Sequence, residues 1–503
     1  MAKKEQTRSY MQAYIPQGGK KKYTSEMAYF NGLDLRKVPD SRGLVECVNI
    51  DVTSFPEVVS VGVAKSAIGK DSDGNPNAIN ENIFGIFGYE KSLYVLCEKD
   101  NTVSLAKITD GTIKATVTWE STNVGEKREM GVFCVYSPKE NEMYYDATPE
   151  YDLLIYPDRK YISIREFSTV KNITDTSPVF EHFTIWNGRV FGSKGNLVVC
   201  SSASTFKDYS LDTPESTDED GLTTGGYDAS HAWYTTTQAN TQSSGNITAI
   251  TAYDGHPIVF KDDYMHQINN NKNPFRLQDI VAIGCVSARS VCELDSVLYF
   301  ASSDGIYRYS GGYPKRISEA LGEVAYDESV VCGAYDGVLY MYNKHLDPKL
   351  VYTYCPANGA WSSIDNPHGT NYILSFAVND EGIYSVGANG KIFVYPESKV
   401  DGGSSDWYFK TAPILNGSSE DKRVHSISVT AEGDDIEATL SGDSIGGIWS
   451  RIIGKQSLDG VDKMRALIRQ TDSLFHSLYF EGKGKIRIYR VDLTYSYSGK
   501  RYI

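Results

Sequence analysis

From about residue 83 the chain alternates short apolar runs with brief polar punctuation. In HFTIWNGRVFGSKGNLVVCSS (182–202) three apolar runs are separated by Asn187-Gly188 and by Lys194-Gly195-Asn196. Both central residues of a type I′ turn need positive φ, so Asn-Gly between apolar runs predicts a hairpin, and the stretch predicts a three-stranded meander. The same grammar recurs at 83–108, 247–268, 330–364 and 374–395, and more loosely at 131–165. It appears again in VLYFASSDGIYRYSGGYPKRIS (297–318), where Asp304-Gly305 reads as the turn and Ser290 to Leu294 as the preceding strand.

About six to seven antiparallel meanders, centred roughly 40 to 55 residues apart, predict an all-β, β-propeller-like body over residues 41–400. One wider gap, 203–246, holds the acidic, Gly/Thr-rich DTPESTDEDGLTTGG and reads as a loop insert. Residues 1–40 are polar and aperiodic, which predicts an extended N-terminal arm. Beyond the linker-like PESKVDGGSSDW (396–407) the strands lengthen. Tyr489, Val491, Leu493, Tyr495 and Tyr497 alternate with Arg490, Asp492, Thr494 and Ser496, as a strand with one buried face requires. Residues 401–503 are therefore read as a separate C-terminal β-sandwich. Short helices are expected only near Ser318–Val324 and Val461–Ile468.

Composition sharpens this picture. The 503 residues include 36 Tyr and 44 Gly but 17 Pro, which favours many strands and tight turns. The net charge of −14 is uneven: residues 1–37 carry eight Lys/Arg against three Asp/Glu, residues 450–503 eleven against five, and 38–449 a net of −25. An acidic body repels phosphates, which argues against a sequence-specific nucleic-acid binder. No apolar run approaches about 18 residues and no export signal is evident, so no membrane span is expected and the chain should fold in a cytoplasm. Cys47, Cys97, Cys134, Cys200, Cys285, Cys292, Cys332 and Cys355 form no Cys-x-x-Cys pair, and read as reduced, buried thiols rather than a disulfide framework or zinc site.

The candidate chemical motifs fail on context. Gly442-Asp443-Ser444-Ile445-Gly446 matches G-x-S-x-G, but a nucleophile elbow needs a helix after it and a large α/β sheet. Here both flanks are strand-like and His476 does not supply the missing scaffold. Asp71–Asn77 (DSDGNPN) lacks the later glutamate and flanking helices of a calcium loop, and Asp218–Asp220 reads as a solvated loop. Gly18–Lys22 lacks the P-loop spacing, the histidines are mutually distant, and the aromatic residues suit cross-strand packing. No catalytic, cofactor-binding or metal-binding residue is assigned, although acidic residues of different blades can converge at a central channel without any sequence signal.

The order of features carries a resemblance. MAYFNGLDLRKVPDSRGLVECVNIDVTSFPEVVSV resembles the opening of the tail nozzle (tail tubular protein B-like) proteins and related propeller proteins of tailed phages. FTIWNGRVFGSKGNLVVCSSASTFKDYS is similar to their recurring blade, in which an Arg-bearing strand leads to a Ser and an Asp-aromatic pair, here Ser201 and Asp208-Tyr209. The block from Pro257 to Ser318, then AWSSID and GIYSVGANGKIFVY, keeps the same collinear order.

The resemblance implies a structural virion protein rather than an enzyme: a homo-oligomeric ring in the tail or head-tail conduit. Its partners would be tail, adaptor or portal proteins, with DNA passing through without sequence-specific binding and assembly taking place in the host cytoplasm. The alternative is a receptor- or glycan-binding propeller of the virion. A glycan-cleaving propeller, with carboxylates converging in a pocket, is the third reading.

Overall fold

A computed structural model describes residues 12–14, 22–27, 30–40, 42–52, 58–61, 64–68, 82–136, 149–174, 177–211, 213–217, 223–226, 228–236, 245–395, 406–414, 420–444, 447–467 and 472–500. Among them, seven four-stranded antiparallel sheets follow one another along the chain as the blades of a propeller. Their first, channel-side strands are Ile83–Tyr89, Glu129–Tyr136, His182–Trp186, Ile247–Tyr253, Cys292–Leu294, Val331–Tyr335 and Ile373–Asn379. The seventh blade is completed by Lys65–Ser66, which pairs with Ile392–Val394 and closes the ring with a strand from early in the chain.

Between neighbouring blades lie separate apolar clusters. Tyr94, Leu96 and Leu105 of the first blade pack on Leu153, Ile155 and Ile162 of the second. Phe191, Val198 and Cys200 of the third meet Ile250, Val259 and Ile268 of the fourth. Each fully buried Leu, Ile or Phe side chain stabilises such an interface by about 1.5–3 kcal/mol. The channel-side strands approach closely: a Cβ on Gly88 would lie 2.0 Å from the carbonyl oxygen of Val378, so only glycine lets the first and seventh blades meet there.

The hairpin grammar holds at Asn187-Gly188 (φ 49° and 68°), Asp254-Gly255 (46° and 72°) and Asp336-Gly337 (47° and 74°). Asp304-Gly305 is different. Ser302 pairs with Gly305, so the turn residues are Ser303 and Asp304, and Gly305 already begins the next strand at an ordinary φ. Glycine is needed there for space, because a Cβ would sit 2.5 Å from both Arg316 Nε and Ser318 Oγ.

The region read as a loop insert also contributes structure. Within 203–246, Trp233–Thr236 is the outer strand of the third blade, and Thr213–Thr217 pairs with Thr223–Gly226.

The rest of the chain forms a nine-stranded sheet from both ends of the sequence. Its long members are Glu420–Ser444, Gly447–Leu467 and His476–Lys500. The last of these pairs along one edge with Glu420–Ser444 and along the other with Lys22–Met27, Val58–Ser60 and Asp406–Thr411. Leu44–Val48 adds to Asp406–Thr411.

Membership therefore differs from the sequence reading. Part of the expected arm is a sheet strand, and Leu44–Val48, Ile50–Asp51 and Val58–Ser60, placed in the propeller, belong with Asp406–Thr411 and the three long strands in one hydrogen-bonded sheet. Their sequence is too short and irregular to declare that partner. The sheet shares a core with the fifth and sixth blades, joining Phe30, Leu33, Tyr299, Trp361, Trp407 and Phe409. Of the two helix candidates, Ser318–Val324 contains a single 3-10 turn, Glu319–Leu321, and residues 461–467 are strand.

Candidate functional site at the channel mouth

The starts of the channel-side strands come together at one end of the propeller, around an open pocket of about 720 Å³. Its wall includes Glu129 and His182, which begin the second and third blades, Ile247 and Thr248 at the start of the fourth, and Arg289 and Glu328 just before the fifth and sixth. Lys127, Glu126, Glu181 and Lys194 complete the charged rim.

Arg289 lies in the 3-10 turn Ala288–Ser290 that leads into the fifth blade. Its Nη1 donates to the Leu374 carbonyl (2.7 Å) and its Nη2 to the Phe84 carbonyl (3.0 Å), reaching the seventh and first blades. Burial pulls its pKa down, with Glu129 the charge acting the other way. No carboxylate among the described residues forms an ion pair with it.

Glu129 is held by two donors, His182 Nδ1 at 2.7 Å and the Phe183 amide at 3.0 Å. Burial alone would lower the His182 pKa, but the charge of Glu129 and its hydrogen bond outweigh burial and raise it. The Thr248 hydroxyl is enclosed and has no hydrogen-bond partner in the structure.

Beneath the rim a buried ion cluster joins the first two blades. Arg128 Nη1 donates to Glu98 Oε2 at 2.6 Å and Nε to Asp158 Oδ2 at 2.9 Å, with all three side chains at most 5% exposed. Asp158 also accepts from Trp119 Nε1, Ser121 Oγ and Asn123 Nδ2. Burial would raise its pKa, and the bonds from Asn123 and Ser121 together with Arg128 lower it. Arg128 spans a carboxylate of each blade, so the cluster fastens the two together.

The residues singled out in the sequence lie elsewhere. Asp71–Asn77 and Asp218–Asp220 fall outside the described residues, as do 18–21 of Gly18–Lys22. Gly442–Ser444 ends one long strand and Gly447 begins the next, so G-x-S-x-G spans a hairpin tip whose residues 445–446 are outside the described set. His476 pairs with Gly442 across the sheet and is buried.

Asp304 accepts a hydrogen bond from Tyr307 Oη at 2.9 Å, within its own hairpin. Arg189 and Ser201, of the recurring blade motif, act on backbone. Arg189 Nη1 donates to the carbonyls of Ser201 and His231 and Nη2 to those of Ala229 and Ser230, while Ser201 Oγ accepts from the Val190 amide.

All eight cysteines are free. Six are buried, and Cys134 and Cys292 are partly so. Burial pushes Cys47, Cys97 and Cys292 up to about 12, which removes thiolate character at neutral pH. Among the described residues no three His, Cys, Asp or Glu side chains gather as a metal site. Among the same residues no helix is long and apolar enough to cross a membrane.

Sequence reasoning missed the mouth because its groups come from different blades. Arg289 sits in an unremarked Ser-Ala-Arg-Ser run, and His182 and Glu129 are 53 residues apart.

No family model and no curated protein matches the chain. Solved structures similar to it include the extracellular domain of a putative one component system from B. thetaiotaomicron, at 13% identity and TM-score 0.39, covering 81% of this chain and 48% of that one. The chain thus spans about half the length of that domain. An exo-β-1,3-galactanase from Phanerochaete chrysosporium, solved with galactose, is similar at 9% identity and TM-score 0.23, covering 86% of this chain and all of that one. A puromycin-hydrolyzing peptidase of Mycobacterium tuberculosis matches at 9% identity and TM-score 0.34, over 70% of this chain and 61% of that one.

Proposed function

We propose that the chain is a structural subunit of a tailed-phage virion, assembled with copies of itself into a ring on the tail or head-tail conduit. The observation that carries this reading is the strand Gly447–Leu467. It pairs along one edge with Glu420–Ser444, and among the described residues no strand covers its other edge over 21 residues. An open edge of that length is an aggregation hazard for a free monomer and a pairing surface for an assembly. Charge supports the same arrangement, since a basic 450–503 on one copy attracts an acidic 38–449 on another. The acidic body also suits a conduit, because it does not retain passing phosphates.

Light scattering and electron microscopy of the purified full chain test the proposal. Closed rings of like subunits, and the same density on the tail axis of particles, are expected. A chain that stays monomeric and is missing from the tails would refute it.

A second reading, a glycan- or receptor-binding propeller, is favoured by one observation: the channel mouth combines a pocket with a hydroxyl, that of Thr248, that has no hydrogen-bond partner among the described residues. The two readings are compatible, since a ring subunit can present such a mouth outward.

A further inference from the structure

The guanidinium of Arg289 has five N–H donors, and Nη1 and Nη2 each spend one on a backbone carbonyl. Among the described residues no carboxylate forms an ion pair with it. On the same pocket wall, Thr248 holds an enclosed hydroxyl without a partner, and its strand packs against the turn that carries Arg289. A buried donor without an acceptor costs about 1–3 kcal/mol, so the Thr248 hydroxyl is arranged for an acceptor that comes from outside, and Arg289 supplies a cation on the same wall to draw it.

The surroundings narrow the acceptor. Glu126, Glu129, Glu181 and Glu328 line the same pocket and repel a dianion such as phosphate more than a monoanion. A guanidinium fork matches a carboxylate in geometry. About 720 Å³ holds a ligand of ring size, and the mixed Lys and Glu rim offers donors and acceptors to several hydroxyls. Among the described residues no Phe, Tyr or Trp lines the pocket, so recognition there works by charge and hydrogen bonds rather than by stacking on a large aromatic face.

We propose that the channel mouth binds a carboxylate-bearing sugar, with Arg289 and Thr248 holding the carboxylate and the rim meeting the hydroxyls. This deepens the glycan-binding reading and goes beyond the assembly reading.

Calorimetric titration of the full chain with N-acetylneuraminate and glucuronate, against glucose and inorganic phosphate, is the test. At least one acid sugar should saturate the protein, with glucose and phosphate weaker by about tenfold or more. Thr248→Val should weaken the acid several-fold, and Arg289→Lys by about tenfold or more. Circular dichroism establishes that each variant is folded, and Thr248→Val carries the test if Arg289→Lys is not.

Glucose binding as tightly as the acids would overturn the acid assignment while leaving the glycan reading standing. Binding of no sugar would remove both. Phosphate as the tighter ligand, or acid binding unchanged in the folded variants, would overturn the proposal. Ring formation, measured separately, depends on none of these outcomes.

Discussion

Asn49 and Asp365 are bound to each other twice across 316 residues: Asn49 Nδ2 donates to the Asp365 carboxylate at 2.6 Å, and the Asp365 amide donates to Asn49 Oδ1 at 2.9 Å. A third bond runs from Asn49 Nδ2 to the Asp406 carbonyl. One side chain therefore ties the sixth blade to the nine-stranded sheet. Its φ of 55° lies in the left-handed region that Asn tolerates better than most residues. Asn49→Ala should lower stability by about 2–4 kcal/mol, read from denaturant unfolding.

Removing Arg128 leaves Glu98 and Asp158 buried without their cation. Arg128→Ala should cost about 3–5 kcal/mol, and Arg128→Lys should recover only part of it, because an ammonium cannot span both carboxylates. Thermal melting of the two variants measures this directly.

His368 is buried, with Nε2 2.9 Å from Ser385 Oγ and Nδ1 3.2 Å from Asn389 Oδ1. Burial first, and the charge of Lys391, lower its pKa to about 4, against the bond to Asn389 and one to the Ser385 backbone, which favour the protonated ring. The folded state thus resists a proton that the unfolded chain accepts near pH 6.5. Stability is whole above that value and falls as the pH drops from about 6.5 to about 4, by about 3 kcal/mol at most. His368→Gln should flatten this limb of the stability profile. His182 works in the opposite sense: its raised pKa adds stability at lower pH, lost as the pH rises through the folded value.

The closing strand can be unfastened singly. The Ala67 amide donates to the Ile392 carbonyl at 3.0 Å, and proline there removes the donor. Ala67→Pro should speed hydrogen exchange at Ile392–Val394 and lower the melting temperature, while the third and fourth blades keep their protection.

Deleting residues 1–30 removes Tyr23, whose ring lies 5.8 Å from that of the buried Tyr495, and Phe30, packed edge-on at 5.4 Å against Phe409. The truncated chain should be less stable and lose near-ultraviolet signal. Unchanged melting would mean that these contacts contribute nothing to the fold.

The blades were legible because Asn-Gly and Asp-Gly turns sit between apolar runs, and positive φ at Asn187, Asp254 and Asp336 is what those residues are selected for. At Asp304 the same letters misled, since Gly305 answers to crowding by Arg316 and Ser318 rather than to a turn angle. The outer strand Trp233–Thr236 was hidden by the polar composition around it. Lys65–Ser66 is two residues long and has no period to read. The mouth was invisible for a different reason: Arg289 and Thr248 acquire a relationship only when the fourth and fifth blades stand side by side.

The closing strand also orders events in time. Lys65 and Ser66 leave the ribosome before any blade, and their partner Ile392–Val394 follows the whole of the other six. Throughout synthesis the first-made segment has to wait unpaired, because its hydrogen-bonding partner does not yet exist. The circle is sealed by the most sequence-distant pairing in the propeller, where loop-closure entropy is highest. The propeller therefore closes only after translation has passed residue 394, before which its blades form an open, unsealed crescent, and the nine-stranded sheet waits longer still, since Lys22–Met27 and Val58–Ser60 pair with His476–Lys500.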